Sequence, residues 1–304
     1  MNGLLVVNKP SGMSSHGVVS VVRKITGEKR VGHSGTLDPM ATGVLVLCLG
    51  HAVRVSEYLI DHDKTYRARV RLGVETDTYD ATGEVVATRA VQVTPDAVTT
   101  ALYAFVGKIA QKPPAHSAVQ RDGVRAYQLA RRGVAVEMAP RAVEIYSITV
   151  RAIELPEVEF DVHSSKGTYI RSLAHDLGER LGTGAHLNAL TRLASGPFTL
   201  EQSLTLEDLK QVTAQGELAR HLLPTDLALT QFSAVHLDAA HAWGVRNGQT
   251  IGAIPDLTTT LVRAYDEHGN LIGLLEREGD RLKPKKIFDA GTPRDDESET
   301  DPTH

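Results

Sequence analysis

From Lys64 to Gly73 the chain alternates strictly. Tyr66, Ala68, Val70 and Leu72 fall on one side of an extended backbone, and Arg67, Arg69 and Arg71 fall on the other. A period of two calls for a strand with one face against a core, so this segment commits the protein to a half-buried sheet. Residues 143–154 and 157–163 alternate in the same way and read as paired strands. The opposite face is cationic. Its arginines are either solvated decoration or, recurring every ~6.6 Å along a strand, a match to the phosphates of a nucleic acid.

Ahead of this strand lies GHSGTLDP (32–39), followed by the apolar run GVLVLCLG (43–50). Pro39 confines Asp38 to extended conformations, which predicts a carboxylate held on a rigid loop before a strand. Residues 4–7 read as a short strand that leaves Lys9 on a turn-rich loop, after which Ser14 or Ser15 caps a helix running to about Thr26. A helix is expected from about Ala52 to Ile60. Residues 76–85 read as an acidic turn in which Asp77 and Asp80 either cap the turn or touch substrate.

Thr94 with Pro95 behind it opens a helix over 94–107. In 112–133 two prolines forbid regular structure at the start, and Ala126–Arg132 then reads as a short helix with Arg125, Arg131 and Arg132 near its ends. This basic segment suits an RNA-contacting insertion, with a plain surface loop as the alternative. Residues 164–182 lead into a helix with the buried stripe Ile170, Leu173, Leu177 and Leu181. Arg171 sits in its first turn, where the helix dipole disfavours a cation, so an anion nearby is expected to compensate. Residues 186–198 place Leu187, Leu190 and Leu193 in the core, and 203–212 form a capped amphipathic helix. Beyond Pro224 short strands and turns take over: a hairpin over 259–278 and a basic strand over 281–288 make residues 228–290 a separate β-rich module.

The formal charge of −4 seems to argue against a nucleic-acid partner, but Arg294 against Asp295, Asp296, Glu297, Glu299 and Asp301 in the last twelve residues accounts for all of it. The rest of the chain is formally neutral, which leaves room for local basic patches. That tail is expected to be disordered. No apolar stretch is long enough to cross a bilayer and the first residues lack a signal-peptide layout, so a cytoplasmic protein is expected. The single Cys48 lies in an apolar run and reads as a small buried hydrophobe.

Familiar catalytic plans are absent. GHSGT ends in Thr36 and so misses the G-x-S-x-G elbow; there is no Walker loop, no H-E-x-x-H, and one cysteine excludes thiolate-rich zinc sites. What remains is a carboxylate-centred site that uses no cofactor and no metal, with tyrosines and arginines as supports.

In family order the chain carries NKPSGMSS (8–15), GHSGTLDPMATGVL (32–45), KTYRARVRLG with TDTYDATG (64–83), KPPAHSAVQRDGVRAYQLAR (112–131), SSKGTYIRSLAHDLG (164–178) and HLNALTRL (186–193). With these motifs it resembles the TruB family of tRNA pseudouridine synthases, which isomerise uridine 55 in the T loop of tRNA. The resemblance implies an α+β fold with a central mixed, mainly antiparallel sheet flanked by helices, and a small C-terminal β-rich PUA-like domain. It implies a catalytic domain over 1–227 with a basic insertion at 108–140, a PUA-like RNA-binding domain over 228–290 and an acidic tail over 291–304.

The resemblance also implies roles. Asp38 is the catalytic aspartate, Tyr66 stacks on the flipped uracil, Tyr169 lines the same pocket and Arg171 pairs with Asp38. His33 occupies the space left by the extruded base, Lys9 and Pro10 brace the catalytic loop, Leu190 packs against the base, and Asp80 and Arg54 lie near the bound nucleotide. Moving uracil from an N–C to a C–C link conserves every atom, so neither redox cofactor nor nucleotide energy is required. The expected partner is the tRNA T-arm stem-loop, bound by a monomer that requires no protein partner. Two alternatives stand beside this: the catalytic subunit of a guide-RNA complex, and an RNA-folding chaperone acting without chemistry.

Overall fold

The computed structural model describes residues 1–114, 120–121, 124–125, 138–252, 254, 257 and 259–288. The chain divides into two compact units, Met1–Leu223 and Pro224–His304.

The larger unit carries β1 (Gly3–Lys9), β2 (Val31–Ser34), β3 (Thr42–Leu49), β4 (Lys64–Leu72), β5 (Val74–Thr76), β6 (Val85–Thr88), β7 (Gly107–Gln111), the short β8 (Gln120–Arg121) and β9 (Val124–Arg125), then β10 (Arg141–Glu154), β11 (Glu157–Ser164), β12 (Ala185–Ser195) and β13 (Phe198–Thr199). Its helices are α1 (Ser15–Thr26), α2 (Ser56–Ile60), α3 (Pro95–Tyr103), α4 (Ile170–Leu181) and α5 (Leu206–Ala214). A nine-stranded sheet runs β1-β3-β12-β4-β11-β10-β7, with β2 added to β3 and β13 to β12. Its pairs are antiparallel except β3 with β12, which makes the sheet mixed.

Period-two patterning explains the core. Ala68, Val70 and Leu72 of β4 are buried with Phe160, Leu187, Leu173, Leu177, Val98 and Leu102, so α3 and α4 share one core with the middle of the sheet. A second core joins Val18 and Val22 of α1 and Leu209 of α5 to Leu5, Val7, Leu45 and Leu47. Strand β3 is buried from Gly43 to Leu49, which is why its sequence is a continuous apolar run. Where it meets β12, Gly43 has φ +99° and a Cβ there would lie 2.2 Å from the Arg192 carbonyl oxygen. Only glycine lets these two backbones approach.

The arginine face of β4 has a different meaning from a phosphate track. Strand register places Arg67, Arg69 and Arg71 directly opposite Asp161, Glu159 and Glu157. The pairs close at 2.8, 3.0 and 3.4 Å, and Arg151 adds a second contact to Asp161 at 2.7 Å. The stripe is a neutralised cross-strand ladder.

Several elements differ from their sequence expectation. Lys9 ends β1 and is fully buried instead of lying on a solvated turn. Gly32 and His33 belong to β2, so the expected loop begins only after Ser34. Gly50–Val55 is a 3-10 turn that passes into α2. Helix α3 stops at Tyr103, and α4 starts only at Ile170 because 164 still belongs to β11 and Gly167, at φ +81°, turns the chain. Leu187 and Leu190 are both buried despite their odd spacing, since a register shift falls between Leu187 and Ala189; Leu193 is only half-buried. The helix expected over Ala126–Arg132, the side chains of Arg125, Arg131 and Arg132, and the acidic tail all lie outside the described residues.

The smaller unit contains β14 (Ser233–His236), α6 (Ala239–Arg246), β15 (Ile251–Gly252), β16 (Leu261–Tyr265), β17 (Leu271–Glu278) and β18 (Arg281–Ile287) in a five-stranded sheet ordered β14-β16-β17-β18-β15. It has its own core of Val235, Val245, Val262, Leu275 and Leu282. Among the described residues no helix is long and apolar enough to cross a membrane.

Candidate active site

The loop between β2 and β3 is fixed from both sides of Asp38. The Ser15 hydroxyl, at the start of α1, donates to the Leu37 carbonyl at 3.1 Å and accepts from the Leu37 N–H at 2.9 Å. On the other side the Pro39 carbonyl accepts from Lys9 Nζ at 3.1 Å and from the Gly12 N–H at 2.8 Å. Lys9 also donates to the carbonyls of Met13 and Pro10, at 2.6 and 2.9 Å. Its ammonium thus ties the β1–α1 loop to the β2–β3 loop beneath the carboxylate, and burial pulls its pKa down to about 8.

Asp38 opens on a pocket of about 290 Å³ whose wall includes Tyr66, Tyr169, Arg171, Leu190, Lys64 and Arg192. Arg171 reaches it from the first turn of α4: Nε lies 3.0 Å from Oδ2, and Nη2 donates to Oδ1 at 3.2 Å. The same guanidinium lies 3.4 Å from Asp80 Oδ2 and donates to the Thr78 carbonyl at 3.3 Å. Two carboxylates therefore share one cation. The Arg171 and Asp80 side chains are 6% and 5% exposed, whereas that of Asp38, on the pocket wall, is 36% exposed. Burial raises the Asp38 pKa and Asp80 adds to the rise, with Arg171 and Lys9 opposing it. The direction is upward because the cost of burying the charge outweighs the attraction of Arg171.

Asp80 is held as an acceptor. Its Oδ1 takes hydrogen bonds from the Thr82 hydroxyl at 2.6 Å, the Thr82 N–H at 2.9 Å and the Thr78 hydroxyl at 2.9 Å. Between them Tyr79 adopts φ 63°, a left-handed conformation that costs a side-chain-bearing residue about 1–3 kcal/mol. That turn brings Asp80 and the Thr78 carbonyl to the same arginine, and the Tyr79 ring packs 4.0 Å from that of His175.

Of the residues singled out in the sequence, Asp38, Tyr66, Tyr169, Arg171 and Leu190 meet around the pocket. Asp80 stands behind Arg171 and Lys9 beneath the loop. His33 lies on β2 opposite Leu47, outside the pocket lining, and burial lowers its pKa, with Arg192 and His16 adding to the effect. Arg54 is exposed on the 3-10 turn, also outside the lining.

Two cationic residues of the pocket wall escaped the sequence reading. Lys64 donates to the carbonyls of Ile60, at 2.6 Å, and His62; burial, then Arg192, pulls its pKa down to about 8. Arg192 is 1% exposed and donates to the carbonyls of Val44 and Gly35, at 2.6 and 3.2 Å. Strand parity marks both, since Lys64 stands two residues from Tyr66 and Arg192 two from Leu190. Among the described residues no three His, Cys, Asp or Glu side chains gather as a metal site. The arrangement offers a planar ring two aromatic walls, an aliphatic contact and one carboxylate able to attack or to take a proton.

Comparison with known proteins extends this picture. Residues 23–170 match the model described as TruB family pseudouridylate synthase (N terminal domain). Residues 171–230 match the tRNA pseudouridylate synthase B C-terminal domain, and 233–288 match pseudouridine synthase II TruB, C-terminal. A tRNA pseudouridine synthase B of Thiobacillus denitrificans is 45% identical over 288 residues, which covers 95% of this chain and 96% of that protein. One from Cupriavidus metallidurans is 43% identical, covering 94% of each. Among solved structures, a Cbf5-Nop10-Gar1 complex aligns with TM-score 0.74 and 29% identity, over 96% of this chain and 86% of that one. An H/ACA RNP bound to a substrate RNA containing 2'-deoxyuridine gives 0.73 and 27%, with the same coverage.

Proposed function

The chain belongs to the TruB family of pseudouridylate synthases, and from that premise we propose that it isomerises uridine 55 in the T-arm loop of tRNA to pseudouridine. The observation that carries the reading is the Asp38–Arg171–Asp80 cluster opening on a pocket walled by Tyr66, Tyr169 and Leu190. A uridine stacked in an RNA loop cannot bring its glycosidic bond to a recessed carboxylate, so the nucleotide is flipped into the pocket. The His33 ring fills the vacated stack.

Asp38 breaks the N–C bond by attack on the sugar or base, or by taking the C2′ proton. Each route needs an ionised, aimed carboxylate, and Arg171 supplies both conditions. The freed uracil turns between Tyr66 and Leu190, C5 replaces N1 at the sugar, the C5 proton leaves and N1 takes up a proton. No atom is gained, so the chain's own residues suffice. Lys9 braces the Asp38 loop. Arg54, exposed on the 3-10 turn, and Asp80, behind Arg171, act on the nucleotide through charge and orientation.

Residues 1–227 act as the catalytic domain, with the 108–140 segment gripping RNA, and 228–290 as a PUA-like RNA-binding domain. The protein acts as a monomer in this reading, and a cytoplasmic location suits a tRNA substrate. The similarity to an H/ACA RNP supports a guide-dependent subunit as a second reading. Isomerisation of a bare tRNA transcript without guide RNA decides for the stand-alone enzyme.

The central test is Asp38→Asn. The variant is expected to bind tRNA and to release no tritium from 5-tritiated uridine in that tRNA. Substantial release would refute the assignment, whereas refolding of tRNA by the inactive variant would add a chaperone activity to the catalytic one.

A further inference from the structure

Helix α4 delivers Tyr169, Ile170 and Arg171 to the pocket, yet its own start is poorly secured. Tyr169 is the N-cap residue, at φ −101° and ψ 109°, and makes no side-chain cap bond. The first turn contains no acidic residue and does contain Arg171, which opposes the helix dipole. A helix end of this kind leaves N–H groups to be satisfied from elsewhere.

Gln111 supplies part of that need from the end of β7. Its side-chain Oε1 accepts from the Tyr169 N–H at 2.7 Å, and its Nε2 donates to the Tyr169 carbonyl at 3.0 Å. The two partners fix which end of the amide is which, because the N–H can only donate and the carbonyl only accept. Gln111 is 2% exposed. One residue on, the Lys112 carbonyl accepts from the Ser172 hydroxyl at 2.7 Å, and Ser172 adjoins Arg171. The strand end and the helix start are thus joined by three hydrogen bonds that straddle the pocket-facing residues.

We infer that Gln111 is a positioning residue for the isomerisation: its amide sets the backbone of Tyr169 and, through it, the placement of the Tyr169 ring and of Arg171 against Asp38. The inference rests on the reading of this pocket as the site of uridine isomerisation. Gln111 is not itself a lining residue and meets the pocket only through the Tyr169 backbone, so its effect falls on the chemical step and not on RNA affinity. A displacement of about 1 Å at such a site costs roughly 10²-fold in rate.

Two variants test this in the full-length protein. Gln111→Ala removes both bonds, and single-turnover tritium release at saturating enzyme is expected to fall roughly 10- to 100-fold while tRNA Kd stays within about twofold. Gln111→Glu keeps the shape and the acceptor but sets an ionised oxygen against the Tyr169 carbonyl. Protonation restores the missing donor, so the ratio of variant to wild-type rate is expected to rise as pH is lowered. Taking the ratio cancels the titration of Asp38, and a packing role alone would leave it flat. A folded Gln111→Ala with wild-type rate overturns the inference, and so does a pH-independent ratio for Gln111→Glu if the alanine variant fails to fold. Wild-type protein that leaves tRNA unmodified overturns instead the reading on which the inference rests.

Discussion

Arg171 serves two carboxylates, and Asp80 is the better anchored of them, with three donors on one oxygen against the exposed flank of Asp38. Asp80 therefore orients the guanidinium, and its charge also pushes the Asp38 pKa upward. Replacing Asp80 by Asn removes one negative charge from the cluster. The sign follows: with less like-charge repulsion Asp38 ionises at lower pH, so the acid limb of the single-turnover rate moves down in pH. In the wild type that limb is expected above the ~3.9 of a free aspartate. The plateau rate of Asp80→Asn falls at the same time, because Arg171 loses its lateral anchor. A limb that stays put or climbs in this variant would count against the shared-cation account. The first-turn arginine is the place where sequence pointed most directly at this cluster, since a cation opposed by the helix dipole needs an anion. Which anions it finds depends on the left-handed turn at Tyr79, and no local pattern announces that turn.

At the scale of elements, strand alternation carried the expectation far and then stopped. It identified β4, β10 and β11 and the inward set Ala68, Val70 and Leu72. It left the outward arginines open between solvent and phosphate, because the acids opposite them belong to a strand some ninety residues away and only register brings them together. The ladder now yields a prediction. Arg69 is 53% exposed beside Glu159, and an exposed pair of this kind contributes about 0–1 kcal/mol. Arg69→Gln is expected to lower stability by no more than that in urea unfolding and to leave tRNA Kd within about twofold; a large loss of affinity would return the stripe to RNA binding. Gly43→Ala should behave oppositely. Its Cβ would collide with the Arg192 carbonyl from a left-handed backbone, which forces β3 and β12 apart beside Asp38 and Leu190. Destabilisation by more than about 3 kcal/mol is expected, since both the strain and the lost strand pairing are felt. Lys64 and Arg192 were equally within reach of parity reasoning, but a buried cation runs against the ordinary exposure of these residue types, and only the carbonyls they bind explain their burial.

For the whole molecule the question is how a chain of formal charge −4 holds a polyanion. With the β4 stripe neutralised, affinity has to come from the remaining basic groups, and the acidic tail opposes it. Residues 293–304 carry the full −4 by themselves, so their removal leaves a formally neutral protein with the catalytic pocket untouched. Screening decides how far that charge acts. The Debye length is about 30 Å at 0.01 M salt and about 8 Å at 0.15 M, so a tail tethered at one terminus influences an approaching tRNA mainly at low ionic strength. A chain ending at Thr292 is therefore expected to associate with tRNA faster than the full chain near 0.01 M salt, with the two rates converging by about 0.15 M. Both forms should lose affinity as salt rises, because phosphate contacts release counterions. Stopped-flow association across a salt series measures the two effects together. Equal rates at every salt would remove the tail from the electrostatics of binding, and a flat salt dependence in both would remove phosphate contact as the source of affinity.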